Sequence, residues 1–201
     1  MPILKWNGAV WAAQTSGTGQ GLLGVWGADA NNVWAVGSGG TILKWSGTTW
    51  AAQTSGTSYT ISSVWGTDAN NVWATGQFGM ILRWNGTAWT TQTVSGGQDL
   101  LGVWGMDANN VWIVGTGGTV LKWNGTAWTA QPSGTTLGLY GVWGADANNI
   151  WAVGGVIAKW NGTAWVTEAS SNGQSPYGVW GTGANNVWAV GPDGMILHKT
   201  Q

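Results

Sequence analysis

Residues 22–54 read LLGVWGADANNVWAVGSGGTILKWSGTTWAAQT, and this stretch carries the fold in outline. Four short segments within it, LLGVWG, NNVWAVG, TILKW and TTWAAQ, are rich in Val, Ile, Trp and Thr and are each bounded by turn residues, so each reads as a strand. The connections are Asp29-Ala30-Asn31-Asn32, then Gly37-Ser38-Gly39-Gly40, then Ser46-Gly47. The last becomes Asn-Gly in the other copies (Asn7-Gly8, Asn85-Gly86, Asn124-Gly125, Asn161-Gly162), the pair that suits a two-residue hairpin with positive φ at both centres. No helical period competes with this reading.

Outward from that stretch the pattern recurs along the whole chain. The GVWG-type tryptophan stands at Trp26, Trp65, Trp104, Trp143 and Trp180, a period of about 39 residues. The NNVW-type follows at Trp34, Trp73, Trp112, Trp151 and Trp188. The LKW-type is Trp6, Trp45, Trp84, Trp123 and Trp160, and the TAW-type is Trp11, Trp50, Trp89, Trp128 and Trp165. These four types account for all 20 tryptophans of the 201-residue chain. A four-stranded antiparallel unit of this size, apolar on both faces, is covered only by stacking on its neighbours, which is how a propeller blade is buried.

The sequence therefore predicts an all-β, five-bladed β-propeller with four antiparallel strands per blade, a single domain over 1–201. The units are about 21–54, 60–93, 99–132, 138–169, and 176–201 completed by 1–15, with the ring closed by pairing of the N- and C-terminal segments. One surplus strand complicates closure, because MILHK (Met195 to Lys199) aligns with TILKW and duplicates Ile3 to Trp6. The N-terminal copy keeps the Trp and the Asn-Gly turn, whereas Lys199 stands at the Trp place, so the N-terminal hairpin is expected to close the ring and the C-terminal segment to be a tail. The alternative keeps Ile196 to Lys199 in the blade and displaces Ile3 to Trp6.

The run NNVWAVGSGGTILKW, with NGTAW after it in other copies, resembles the blade repeats of tectonin-type lectin propellers and also the Asp-box propellers typified by a photosystem assembly factor. The resemblance covers essentially the whole chain and implies a propeller; one architecture hosts many activities, so it implies sugar binding or protein assembly less specifically. Where the Asp-box motif has Ser-x-Asp-x-Gly-x-Thr-Trp, this chain has Trp45-Ser46-Gly47-Thr48-Thr49-Trp50 without the Asp. Five units depart from typical tectonins and are similar in number to the tachylectin-type sugar binders.

Composition narrows the chemistry. A net charge of −1 with isolated Lys5, Lys44, Arg83, Lys122 and Lys159 offers no basic stripe for a phosphate backbone, so nucleic acid is not an expected partner. No apolar run reaches the roughly 18 residues that span a bilayer, so membrane insertion is not expected either. With no Cys, one His (His198), one Glu (Glu168) and one Arg, acid, base and thiol groups are too few for a catalytic constellation, and neither enzyme activity nor a cofactor is expected. The Asp-Ala-Asn-Asn turns offer one carboxylate each and lack calcium-loop spacing, so no metal is expected. The absence of Cys leaves the compartment open.

In an antiparallel blade the first-to-second and third-to-fourth turns lie at one end, and every Trp sits within three residues of one of them. Trp faces beside carboxylate and amide groups are what a sugar ring needs. The expected ligand-binding residues are therefore Asp29, Asn31, Trp45 and Trp50; Asp68, Asn70, Trp84 and Trp89; Asp107, Asn109, Trp123 and Trp128; and Asp146, Asn148, Trp160 and Trp165. In the fifth unit Gly183 replaces the Asp. The competing readings are that most of these tryptophans fill the core and that the Asp turns are Asx turns. The leading functional expectation is a non-catalytic, multivalent glycan-binding propeller, weak per site and strengthened by avidity.

The opposite end carries fourth-to-first connections that differ between units: QTSGTGQG, QTSGTSYT, QTVSGGQD, QPSGTTLG and TEASSNGQSP, with Tyr59, Tyr140, Tyr177 and Asp99 in or just beyond them. This variable-loop face suits a protein partner, which makes an interaction or assembly scaffold the alternative. A third reading is an amplified or engineered repeat array with no evolved ligand. Low charge also makes a homo-oligomer a credible state.

Overall fold

Alternating turn chemistry and β-branched, Trp-rich runs produce 21 strands in the computed structural model, which describes residues 2–94, 96–168 and 174–200. Strands β1 (Ile3–Trp6) and β2 (Trp11–Gln14) form a two-stranded hairpin sheet. Blade 1 contains β3 (Leu22–Asp29), β4 (Asn32–Gly37), β5 (Ile42–Trp45) and β6 (Trp50–Gln53). Blade 2 contains β7 (Ile61–Asp68), β8 (Asn71–Gly76), β9 (Met80–Trp84) and β10 (Trp89–Thr93). Blade 3 contains β11 (Leu100–Asp107), β12 (Asn110–Gly115), β13 (Val120–Trp123) and β14 (Trp128–Ala130). Blade 4 contains β15 (Leu139–Asp146), β16 (Asn149–Gly154), β17 (Ile157–Trp160) and β18 (Trp165–Glu168). The last sheet has three strands, β19 (Gly178–Gly183), β20 (Asn186–Val190) and β21 (Ile196–Thr200).

Within each sheet the strands are antiparallel and follow chain order, so the first strand lies at one edge and the fourth at the other. First strands of successive sheets pack side by side, β3 on β7, β7 on β11, β11 on β15 and β15 on β19. That close approach needs small residues: a methyl on Gly102 would lie 2.9 Å from the Tyr140 carbonyl oxygen, and one on Gly141 2.9 Å from that of Tyr177.

The second-strand tryptophans are the core. Trp34 and Trp73 are 0% exposed, and Trp112 and Trp151 are 1% exposed. Each packs into the following blade, so each hydrophobic cluster spans two sheets: Trp34 with Val64, Val72 and Trp84; Trp73 with Val111 and Trp123; Trp112 with Ile150 and Trp160. Burying a side chain of this size contributes several kcal/mol, on the order of 3–5 by the usual loss on truncation, so the joints between sheets carry much of the stability. A single unit has no partner for its second-strand Trp, which is why the fold needs the repeat.

Two expectations are corrected. The Asn-Gly connection is not a two-residue turn: Trp84 pairs with Trp89, leaving a four-residue loop in which Asn85 N–H donates to the Ala88 carbonyl at 3.3 Å. Only the glycine takes positive φ (Gly86, φ 95°), while Asn85 Oδ1 accepts from the N–H groups of Thr87 and Ala88 at 3.0 Å each. The Asn side chain closes the loop instead of supplying a left-handed residue.

The expected closure through the N-terminal hairpin is also not made. Strand β21 takes the third place beside β20, with Val190 opposite Ile196 and Val187 opposite Lys199, so the C-terminal segment belongs to the blade. Hairpin β1–β2 pairs only with itself, and among the described residues no packing like that between successive sheets joins β19 back to β3. The physical reason is the surplus strand: β20 offers one edge, and the segment adjacent in sequence occupies it across a five-residue connection.

Candidate functional site

The Asp turns and the Asn-Gly loops do meet at one end of each blade. Asp29 Oδ1 accepts from Asn31 N–H at 2.8 Å, and both of its oxygens accept from Asn32 Nδ2 at 3.0 and 2.9 Å. Asp68, Asp107 and Asp146 repeat this geometry with Asn70–Asn71, Asn109–Asn110 and Asn148–Asn149. The backbone donor holds the carboxyls of Asp29, Asp68 and Asp146 below the usual carboxylate range, Asn31, Asn70 and Asn148 being the respective donors. The carboxylates thus fasten their own turns as Asx turns. Asn31, Asn70, Asn109 and Asn148 lean over Gly47, Gly86, Gly125 and Gly162, where an added methyl would collide with the amide. In the last sheet, where Gly183 replaces the Asp, Thr182 Oγ1 accepts from Asn186 Nδ2 at 2.6 Å.

The third-strand tryptophans join the two turns. Trp45, Trp84, Trp123 and Trp160 are buried, and their Nε1–H groups donate to the turn carbonyls of Ala30, Ala69, Ala108 and Ala147 at 3.1 to 3.2 Å. Trp50, Trp89 and Trp128 are half-buried and tilt against them, with ring centroids 5.6, 5.7 and 5.4 Å apart, while Trp165 is buried. One basic side chain bridges each joint from blade 1 to blade 4: Lys44 lies 5.0 Å from Trp34 and 5.4 Å from Trp84, Arg83 lies 5.2 Å from Trp73 and 5.7 Å from Trp123, and Lys122 lies 5.0 Å from Trp112 and 5.7 Å from Trp160. In each of blades 1 to 4 the four candidate residues lie at one end, with the carboxylate and the third-strand indole already partnered within the fold.

The other end is less regular. After each second strand comes a three-residue turn whose middle residue is left-handed: Gly39 (φ 63°), Phe78 (φ 57°), Gly117 (φ 65°) and Asp193 (φ 53°). Blade 4 lacks this turn because of its two-residue deletion at Gly154-Gly155-Val156. A bulky residue with φ near +57° is strained by about 1–2 kcal/mol, and nothing buried repays it: Phe78 is 61% exposed. Its ring meets Tyr59, itself 50% exposed, edge-on at 4.8 Å, and Asp99 Oδ1 fixes the turn by accepting from Phe78 N–H at 3.0 Å.

Beside Phe78 a groove of about 190 Å³ runs between blades 2 and 3, lined by Gly79, Val94, Leu100, Gly118, Leu121 and Gln131. It is smaller than the roughly 300 Å³ of ordinary small-molecule sites and fits an apolar side chain. Farther round, Tyr140 and Tyr177 meet at 5.7 Å. Part of the connection TEASSNGQSP falls on residues 169–173, outside the described residues. Sequence reasoning placed Tyr59, Tyr140 and Tyr177 here but passed over Phe78 as a site residue; the signal was a Phe at the repeat position held by Gly39 and Gly117.

Among the described residues there is no cluster of three or more His, Asp or Glu side chains that could hold a metal, and no helix is long and apolar enough to cross a membrane.

The architecture is that of a β-propeller repeat protein. No family model matches the chain, and no curated protein does. Among solved structures it is similar to YCF48 from Cyanidioschyzon merolae, at 18% identity and TM-score 0.69 over 90% of this chain and 68% of that one. It is also similar to the WD40 beta propeller domain of Doa1, at 15% identity and TM-score 0.76 over 90% of this chain and 65% of that one. A third neighbour, YCF48 bound to D1 peptide, matches at 17% identity and TM-score 0.69 over 98% of this chain and 73% of that one. The chain thus spans about two thirds to three quarters of the length of these propellers, and at such identities the likeness is one of fold.

Proposed function

We propose that the chain is a non-catalytic protein-interaction propeller that grips an extended peptide segment of a partner on its variable-loop face. The observation that carries this reading is Phe78, a strained and exposed aromatic at a position held by glycine in blades 1 and 3 and by Asp193 in the last sheet, paired with exposed Tyr59 and followed by Gly79, which lines an apolar groove. Phe78 and Tyr59 are the anchors, the groove takes an apolar side chain, and Asp99 holds the turn in place. Support from likeness comes from the similar YCF48 structure, which carries a peptide. The glycan reading of the opposite end draws on fewer free groups, since its carboxylates and third-strand indoles are hydrogen-bonded within the fold.

The test is selection of binders from a displayed peptide library, followed by affinity measurement on Phe78→Gly and Tyr59→Ala. Phe78→Gly is expected to weaken binding at least tenfold while leaving stability unchanged or raised by up to about 1 kcal/mol, because glycine relieves the left-handed strain. Peptide affinity indifferent to both substitutions, or glycan-array binding in place of any peptide, overturns the proposal.

A further inference from the structure

The joints between successive sheets share one device that the chain repeats and then leaves half-made at each end. Trp26 of blade 1 lies over Gly66 of blade 2, where an added methyl would be 2.8 Å from Trp26 Cη2. Trp65 lies likewise over Gly105, Trp104 over Gly144 and Trp143 over Gly181, with methyl-to-ring distances of 2.6 to 2.8 Å. Each first-strand Trp is a knob and the GVWG-type glycine of the next sheet is its cradle. Gly27 of β3 has no knob: a methyl there would meet only Val33 and Asn32 of its own blade. Trp180 of β19 has no cradle and is 60% exposed. Around the empty cradle Leu23 and Val25 are 58% and 67% exposed; around the free knob Trp188, Val190 and Ile196 are exposed too.

Hairpin β1–β2 stands in half of the missing sheet. Lys5 lies 4.7 Å from the ring of Trp45, as Lys44 lies over Trp84 and Arg83 over Trp123, so β1 occupies the third-strand place of a sheet preceding blade 1. Among the described residues that sheet holds only β1 and β2. The last sheet has a first and a second strand, β19 and β20, followed by β21, whose Lys199 faces Val187 where Trp45 faces Val33 in blade 1.

We propose that two copies of this chain dock head to tail. β19–β20 of one copy enters beside β3 of the other, seating Trp180 on Gly27. β20 exchanges β21 for the other copy's β1, so that Trp6 takes the place of Lys199 and the pair β1–β2 completes a four-stranded sheet. The new joint continues the internal ones, with the same knob, cradle and register, and it covers Leu23, Val25, Trp6, Trp11, Trp180 and Trp188 at once. A second copy is the occupant because, among the described residues, neither strand pairing nor packing like that between successive sheets joins these two ends within one chain.

Sedimentation velocity on the full chain tests this over a concentration series. Wild type is expected to associate, and Trp180→Ala and Gly27→Ala should each weaken association by about tenfold or more. An equimolar mixture of the two variants should form a dimer and nothing larger, because only one intact knob and cradle pair is available. Phe78→Gly, remote from the joint, should associate as wild type does, which separates this proposal from the peptide-binding one. A monodisperse monomer at the highest concentration reached, or association unaffected by Trp180→Ala and Gly27→Ala, overturns it. A monomer whose Trp180 is shielded from a fluorescence quencher would mean closure within one chain and overturns it equally.

Discussion

Asp68 shows how much of a turn one side chain can hold. Its carboxylate accepts from Asn70 N–H, Asn71 Nδ2 and Thr67 Oγ1, and the Asn70 bond leads in holding the carboxyl below the usual range. A carboxyl lowered on folding contributes stability that is complete above its unfolded value, near 3.9, and is lost as pH falls through the lower folded value. The acid limb of the stability curve is therefore expected to steepen below about pH 4, with Asp29, Asp68 and Asp146 acting together. Asp68→Asn removes one titration from that limb. Urea midpoints measured from acid to neutral pH should fall less steeply for the variant, and parallel curves would refute the assignment. The sequence offered the Asx turn as the competing reading to a ligand-binding carboxylate, and the turn was legible because an Asp followed two and three residues on by Asn is a local pattern whose bonds need no tertiary context.

At the scale of the element, the joint between sheets decides which glycines are replaceable. A methyl at Gly144 would sit 2.6 Å from Trp104 Cη2 and 2.8 Å from Ile150 Cγ1, both packed side chains. Gly144→Ala is expected to lower unfolding free energy by about 1–3 kcal/mol, the range for overpacking a filled core. Gly27→Ala, which meets Val33 Cγ2 at 3.0 Å and no indole, should lose clearly less. Denaturant unfolding of the two variants makes the comparison, and equal losses would mean that the indole is not what fills the cradle. Both glycines read alike in the sequence as the end of a GVWG segment. Only the stacking of one sheet on the next distinguishes them, since the knob comes from a residue in the preceding unit.

For the molecule as a whole, scarcity of charge has a consequence for assembly. Only 13 of 201 residues are charged, and among the described residues the one ion pair is Lys199 with Glu168 at 3.8 Å, which ties β21 to β18. A joint made of Trp, Leu and Val should respond little to ionic strength, since added salt screens exposed charges and leaves apolar burial intact. Self-association is expected to change by less than about threefold between dilute and half-molar salt, and any change should favour association as Lys199 is loosened. Sedimentation in a salt series measures this; steep weakening by salt would point to an electrostatic contact elsewhere.

The sequence by itself determined the strands, the four-strand unit, the Asx turns and the number of repeats, because period-2 runs and Asx turns act within a few residues of one another, while the Asn-Gly loops were legible as turns but not in their geometry. It also marked the two loop ends. Tertiary structure alone decided which of two similar third strands pairs with β20, which tryptophans are spent as knobs, and where an exposed aromatic stands. Those outcomes depend on competition for one sheet edge and on packing between residues about one repeat apart. Ile3 to Trp6 reads as the better third strand, with its Trp and its Asn-Gly loop, yet β21 holds the place because a short connection brings it there at little entropic loss. Phe78 is conspicuous only when its backbone angle and exposure are known, since as a letter in the repeat it is one substitution among several.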